Sequence, residues 1–454
     1  MIEGCEVYNP PSVQRKHPSL AMPRIKKTPK PTTHRLRNGL RVVTTHIPGG
    51  DAVSIALAVR AGSIYDPPEA AGLAHFLEHL LFKATSDYSR AQLAAAMQRC
   101  GNRFDPGTTK EIVSLSGTVP SHKTSDALHL LSSVTRHPLF AHPDIETERQ
   151  VVLEELRDWQ DDPSKRIEAL TDAAMWGAHP LGRDIGGTRA SVRDITRAQV
   201  RRYHRRYFHP RNAILSMAGV LEESEMLDVA QRHFGGWRPA PGAVIPKAQS
   251  GAYYEPPLRQ GRRSKILRRS NTQQVWFSMS TITPSYPDGY GAVLRTQLAQ
   301  TLIGDGDGSR LWDGLRERSG LAYDVYATQD FYSRAGVMSA MAAVGRGRAG
   351  IGVREMKRIL EETHHGFSLD EFERGRDSLS AQITLMGDWN AYQASRYAEL
   401  TLFDQPLVTP AQELAMLRTF RVSDFNDFVK EKIRWDSGVT CAIGEGPALD
   451  AARG

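Results

Sequence analysis

Three residues in the stretch "AGLAHFLEHLLFKA" (Ala71–Ala84) are of types that do chemistry: His75, Glu78 and His79. The residues around them are apolar almost all the way round a helix, the pattern of a buried one. Two imidazoles and a carboxylate are costly to bury without partners. On a helix the histidines, four apart, project about 40° from one another, which lets two imidazole nitrogens reach one Zn²⁺. Glu78 sits at the edge of the same face, where it could take a proton from a metal-bound water without coordinating. A lone histidine on an apolar face is ordinarily a satisfied core residue. The three together favour a metal.

Two ligands do not make a site, and "DIETERQVVLEELRDWQDDP" (Asp144–Pro163) offers a third. Glu148 and Glu155 are seven apart, so on a helix they share a face within about 20°. Ile145, Val151, Val152 and Trp159 surround that face, while Glu154 and Asp158 point to the polar side. One of the two buried-stripe carboxylates is the expected partner. A His₂Glu set leaves a fourth position for water, the arrangement of a catalytic rather than a structural zinc.

The elements that must hold these residues can be read in outline. "HRLRNGLRVVTTH" carries a hairpin signal at Asn38–Gly39, and "DAVSIALAVRAGS" alternates as a half-buried strand. After the histidine helix come a helix near Arg90–Arg99, a strand over Glu111–Val119 and a helix over about Ser125–Arg136. Asp144 is a candidate N-cap for a long helix to about Trp159. Asn212–Gly219 is a strand, followed by a helix to "HFGGW". From Arg238 to Arg263 the chain turns irregular and reads as a linker. Beyond it the order recurs: strand "TQQVWFSMSTI", helix near Gly291–Ile303, and a last strand "SGVTCAIGE" that echoes "NAILSMAGV". This predicts a duplicated α+β fold of two similar domains, each an antiparallel-rich sheet packed against helices. The expected divisions are a leader (1–34), an N-terminal domain (35–237), the linker (238–263) and a C-terminal domain (264–454).

At 454 residues the chain is too long for one ordinary core. Its net charge of +7 lies mostly in residues 1–37, where eight Lys and Arg face Glu3 and Glu6. A basic, Pro-rich leader over a near-neutral body argues against a nucleic-acid-binding domain. No apolar run could span a bilayer. With no secretory apolar core at the N-terminus, the expected compartment is the cytoplasm, or an organellar matrix if the leader is a transit peptide. Cys5, Cys100 and Cys441 are too scattered for a disulfide framework or a thiolate metal site.

"HFLEH", with Glu155 lying 76 residues after its second histidine, resembles the inverted zinc motif of the pitrilysin family. That family includes insulin-degrading enzyme and the mitochondrial processing peptidase. The resemblance extends through "AGS", "HPLGRDIGGT" (His179–Thr188) and "HPRNAILSMAG" (His209–Gly219), and covers about residues 35–445. It implies His75, His79 and Glu155 as ligands of one zinc per chain, Glu78 as general base and Glu148 as a supporting acid. "GSRLWDGLRERSGLAYDVYA" (Gly308–Ala327) is similar to the family's C-terminal signature, with Arg316 and Tyr323 as its substrate-binding pair. Such a cation and phenol suit a carbonyl gaining negative charge.

By the same resemblance, subunits of about 450 residues, as in the processing-peptidase branch, each form half of a closed chamber around peptides or unfolded polypeptides. The expectation is a zinc endopeptidase acting as a homodimer, or in a heterodimer with a related subunit, with no nucleic-acid or membrane partner. A non-catalytic scaffold subunit is the rival. Two departures bear on substrate grip: Ala84 where the family has Gly, and "DPGTTKE" (Asp105–Glu111) in place of its peptide-pairing strand. Pro106 there removes a backbone donor.

Overall fold

A computed structural model describes residues 29–101, 104–246 and 263–445. Most of the expected leader and linker fall outside these. The hairpin at Asn38–Gly39 forms β1 (Thr32–Arg35) and β2 (Arg41–His46), so the first strand begins inside the stretch read as leader. It is followed by β3 (Ala52–Val59), α1 (Leu73–Leu81), α2 (Arg90–Arg99), β4 (Asp105–Thr108) and β5 (Val113–Pro120). Four helices come next: α3 (Thr124–Arg136), α4 (His142–Asp161), α5 (Pro163–Trp176) and α6 (Arg189–Asp194). Then α7 (Arg197–Tyr207), β6 (Ala213–Gly219) and α8 (Glu223–Phe234) close the first half.

The second half opens with β7 (Arg263–Arg268), β8 (Gln274–Thr283), α9 (Tyr290–Gly304) and the short α10 (Arg310–Trp312). It continues through β9 (Ala322–Phe331), β10 (Gly336–Gly345), α11 (Ala349–Glu362), α12 (Leu369–Gly387) and α13 (Asn390–Leu402). It ends with α14 (Pro410–Thr419), α15 (Val422–Lys432) and β11 (Val439–Gly444).

The two sheets run β1-β2-β6-β3-β5-β4 and β7-β11-β8-β10-β9. Apart from β1, they correspond strand for strand. In each, the strand that returns last in the chain is inserted beside the first, parallel to it: β6 along β2 and β11 along β7. Every other pairing is antiparallel. The echo between "NAILSMAGV" and "SGVTCAIGE" is thus an echo between the two inserted strands. The fold class expected from the sequence is the one observed.

Two local readings change. Asp144 does not cap α4; the N-cap is Ala141 and Pro143 stands at the second helical position. Proline fits the first helical turn because its missing N–H would have no partner there, so the helix starts three residues earlier. β3 is not half-buried but buried along nearly its whole length. The reason is long-range. α13, from the far end of the chain, lays Ala394, Tyr397, Ala398 and Leu402 on the outer face of the first sheet, against Val43, Ala56, Ala58 and Ile214. In return α5 lays Ile167, Leu170, Met175 and Trp176 on the second sheet, against Val337, Met341, Cys441 and Ile443. Each half lends a helix to the other's sheet.

Candidate metal centre

α1 begins at a glycine, Gly72, whose φ of 92° no side chain adopts without strain and which supplies no side-chain cap. The cap comes from outside the helix. The Asp66 carboxylate accepts the N–H groups of Gly72 (2.8 Å) and Ala74 (2.9 Å). Burial raises the Asp66 pKa to about 7, against those two hydrogen bonds. The Arg183 guanidinium donates to the carbonyl of Asp66 at 3.0 Å, which ties the cap to the "HPLGRDIGGT" segment. From this anchored start α1 buries Leu73, Phe76, Leu77, Leu80 and Leu81 in the first core. The opposite arc carries His75, Glu78 and His79.

α4 faces that arc. His75 Nε2 and His79 Nε2 lie 3.2 Å apart, and Glu155 Oε2 lies 3.3 Å from His79 Nε2 and 3.8 Å from His75 Nε2. Atoms bonded to one tetrahedral zinc at about 2.0–2.1 Å are about 3.3 Å apart, so two of the three separations fit and one is longer. Glu155 Oε2 and His75 Nδ1 are buried without a hydrogen-bond partner. A buried carboxylate oxygen with no donor is costly, and a cation between these three atoms would relieve it. Burial, and then His79, hold the His75 pKa down to about 3, which keeps its imidazole neutral with a lone pair to offer. The residues present fit a divalent metal of zinc's preference, and among the described residues they form a group close enough to share one ion.

Glu78 stands beside this group rather than in it. Burial raises its pKa, while His79 and a hydrogen bond from Thr108 Oγ1 (3.0 Å) oppose the rise. That is the tuning expected of a group that must both take and return a proton. Glu148, the other acid of the stripe, places Oε2 3.4 Å from His79 Nδ1 and Oε1 2.6 Å from Lys83 Nζ. The Trp159 ring lies beside the cluster, 5.6 Å from the His75 ring and tilted 39° to it.

The cluster opens on a cleft of about 640 Å³ whose lining includes His75, Glu78, Thr108, Lys110, Trp159 and Asp172. One side of it is β4, the edge strand of the first sheet. Ser116 Oγ and Ser114 Oγ donate to the carbonyls of Asp105 and Gly107 (3.4 Å each), so those carbonyls turn inward to β5. Alternation then turns the backbone groups of Pro106 and Thr108 to the open edge. The proline therefore leaves that edge with one carbonyl but no donor at position 106.

Arg316 and Tyr323 are brought to one another but not to this cleft, which neither lines. Arg316 donates to the Tyr323 carbonyl at 2.7 Å, and its guanidinium lies 4.1 Å from the Trp312 ring and 4.8 Å from the Tyr323 ring. Arg316 sits in a π-helical turn, Asp313–Arg318, and Tyr323 is 70% exposed. Sequence reasoning missed Asp66, Lys83 and Thr108. Lys83 carried a usable signal: it continues the four-residue spacing of His75 and His79. Asp66 and Thr108 carried none that spacing could reveal.

Residues 41–189 match the family model described as Insulinase (Peptidase family M16), and residues 194–379 match that of the Peptidase M16 inactive domain. An uncharacterized zinc protease of Mycobacterium leprae is 34% identical over 318 residues, covering 69% of each chain. One from Mycobacterium tuberculosis is 34% identical over 330 residues, covering 72% of each. In fold, the chain is similar to a protease from Helicobacter pylori, with a TM-score of 0.84 at 20% identity, covering 91% of this chain and 99% of that one.

Proposed function

We propose that this chain, which belongs to peptidase family M16, is a zinc-dependent endopeptidase that hydrolyses peptides or unfolded polypeptides. The observation that carries the reading is the convergence of His75, His79 and Glu155 on one point, with Glu78 beside them on an open cleft. His75, His79 and Glu155 would hold one zinc per chain. Zinc supplies an acidified water and a polarised scissile carbonyl when bound. Glu78 accepts a proton at its carboxylate and returns it to the leaving amine, and Thr108 Oγ1 holds that carboxylate in place. The β4 edge aligns the peptide as an added strand.

In this reading Arg316 and Tyr323 act on a peptide held by another subunit, because they do not line the cleft of their own chain. A homodimer enclosing a chamber then has two complete sites. The same placement favours, as a second reading, a heterodimer in which this chain is the zinc-bearing subunit. Among the described residues no helix is long and apolar enough to cross a membrane.

The test is zinc content measured beside cleavage of a quenched peptide. Purified protein is expected to hold one zinc and to lose cleavage on chelation. Glu78→Gln is expected to keep the zinc and lose about 10²–10⁴ in rate. Cleavage that survives in Glu78→Gln removes Glu78 as the base.

A further inference from the structure

The catalytic reading leaves Lys83 without a role. His75, His79 and Lys83 recur every fourth residue, the first two on α1 and the third two residues past its end. Glu155 and Glu148 answer them from α4 in reverse order: Glu155 meets the two histidine Nε2 atoms, and Glu148 meets His79 Nδ1 and Lys83 Nζ. The shortest contact of the ladder is the last, Lys83 Nζ to Glu148 Oε1 at 2.6 Å. The Glu148 side chain is 5% exposed and that of Lys83 20%.

A carboxylate buried this deeply needs a cation. Lys83 supplies the cation on the far oxygen. We propose that Lys83 is a positioning residue. By pinning Glu148 Oε1, it aims Oε2 at His79 Nδ1, fixing the tautomer that presents Nε2 to the metal. This rests on the zinc reading above. Outer partners of this kind are worth about 10–100-fold in metal affinity.

The experiment is chelator competition for zinc, with visible spectra of the Co²⁺-substituted protein, on wild type, Lys83→Met, Lys83→Arg, Glu148→Gln and the Lys83→Met/Glu148→Gln double variant. Lys83→Met is expected to bind zinc about 10–100-fold more weakly and to alter the Co²⁺ spectrum. Lys83→Arg is expected to restore both, and Lys83→Met to add little once Glu148 is an amide. Lys83→Gln carries the same comparison if the methionine variant does not fold. Wild-type affinity and spectrum in a folded Lys83→Met or Lys83→Gln protein overturn the proposal, as do losses that add in full in the double variant. A wild type that takes up no zinc overturns the zinc reading and this inference with it.

Discussion

Gly72 and Gly187 meet backbone to backbone. A Cβ on Gly187 would lie 2.1 Å from the carbonyl oxygen of Ala71, and one on Gly72 would lie 2.4 Å from that of Gly186. Both glycines have positive φ, 92° and 76°. The turn that starts the histidine helix and the turn that ends "HPLGRDIGGT" are therefore shaped for one another, and Ser191 Oγ closes the contact by donating to the Ala71 carbonyl at 2.7 Å. The separation of α1 from the loop beside the cleft is set here.

Gly187→Ala is expected to cost about 2–4 kcal/mol, combining left-handed strain with the clash. Urea unfolding measures the loss. Zinc affinity should fall with it, since α1 must shift. A variant of wild-type stability would mean that the two turns separate freely.

Pro106→Asn gives the open edge of β4 the donor it lacks. One added backbone hydrogen bond to substrate is worth about 0.5–1.5 kcal/mol, so kcat/KM is expected to rise several-fold, carried by KM for extended peptides. Steady-state kinetics on peptides of graded length make the check. A rise in kcat alone, or none at all, argues that substrate does not lie along this edge.

Arg316→Ala/Tyr323→Phe and His75→Ala chains are each expected to be inactive alone. Mixed and allowed to exchange, they should regain part of the wild-type rate if one subunit's Arg/Tyr pair serves the other's zinc. Activity of the mixture against time and concentration decides. No recovery, with exchange verified by mass, places the pair's action elsewhere.

Glu399 on α13 accepts from Tyr286 at 3.3 Å, and burial raises its pKa to about 7 from 4.5. The folded state thus binds a proton that the unfolded state releases between pH 4.5 and 7. Its contribution to stability is fully present below about pH 4.5 and is lost as pH rises through 7. Glu399→Gln removes this dependence. The wild type should lose stability relative to the variant, by at most about 3 kcal/mol, between pH 4.5 and 8. Paired urea titrations at the two pH values test the sign.

Much of this architecture is legible in the chain, and the boundary is physical. The zinc face of α1 could be read because helical spacing is local: His75, Glu78 and His79 fix their own relation. Glu148 and Glu155 could be read for the same reason on α4, although which oxygen meets which nitrogen is a matter of packing. β3 was misread because its alternating pattern says nothing of a helix arriving from residues 390–402 to cover the other face. Asp66 escaped because a cap from outside the helix leaves no mark at the capped residues. The distance of Arg316 and Tyr323 from the cleft is likewise a property of how two sheets are joined, not of seven-residue spacing.

The exchange of α5 and α13 between the sheets also orders events in time. During synthesis the first sheet can pair its strands once Gly219 has emerged, but Ala56, Ala58 and Ile214 stay open to solvent until Tyr397 and Leu402 follow. The half that carries the zinc ligands is finished by a helix, α13, made long after its own last strand. A nascent chain therefore exposes an apolar sheet face for more than a hundred further residues, and a truncated one never covers it.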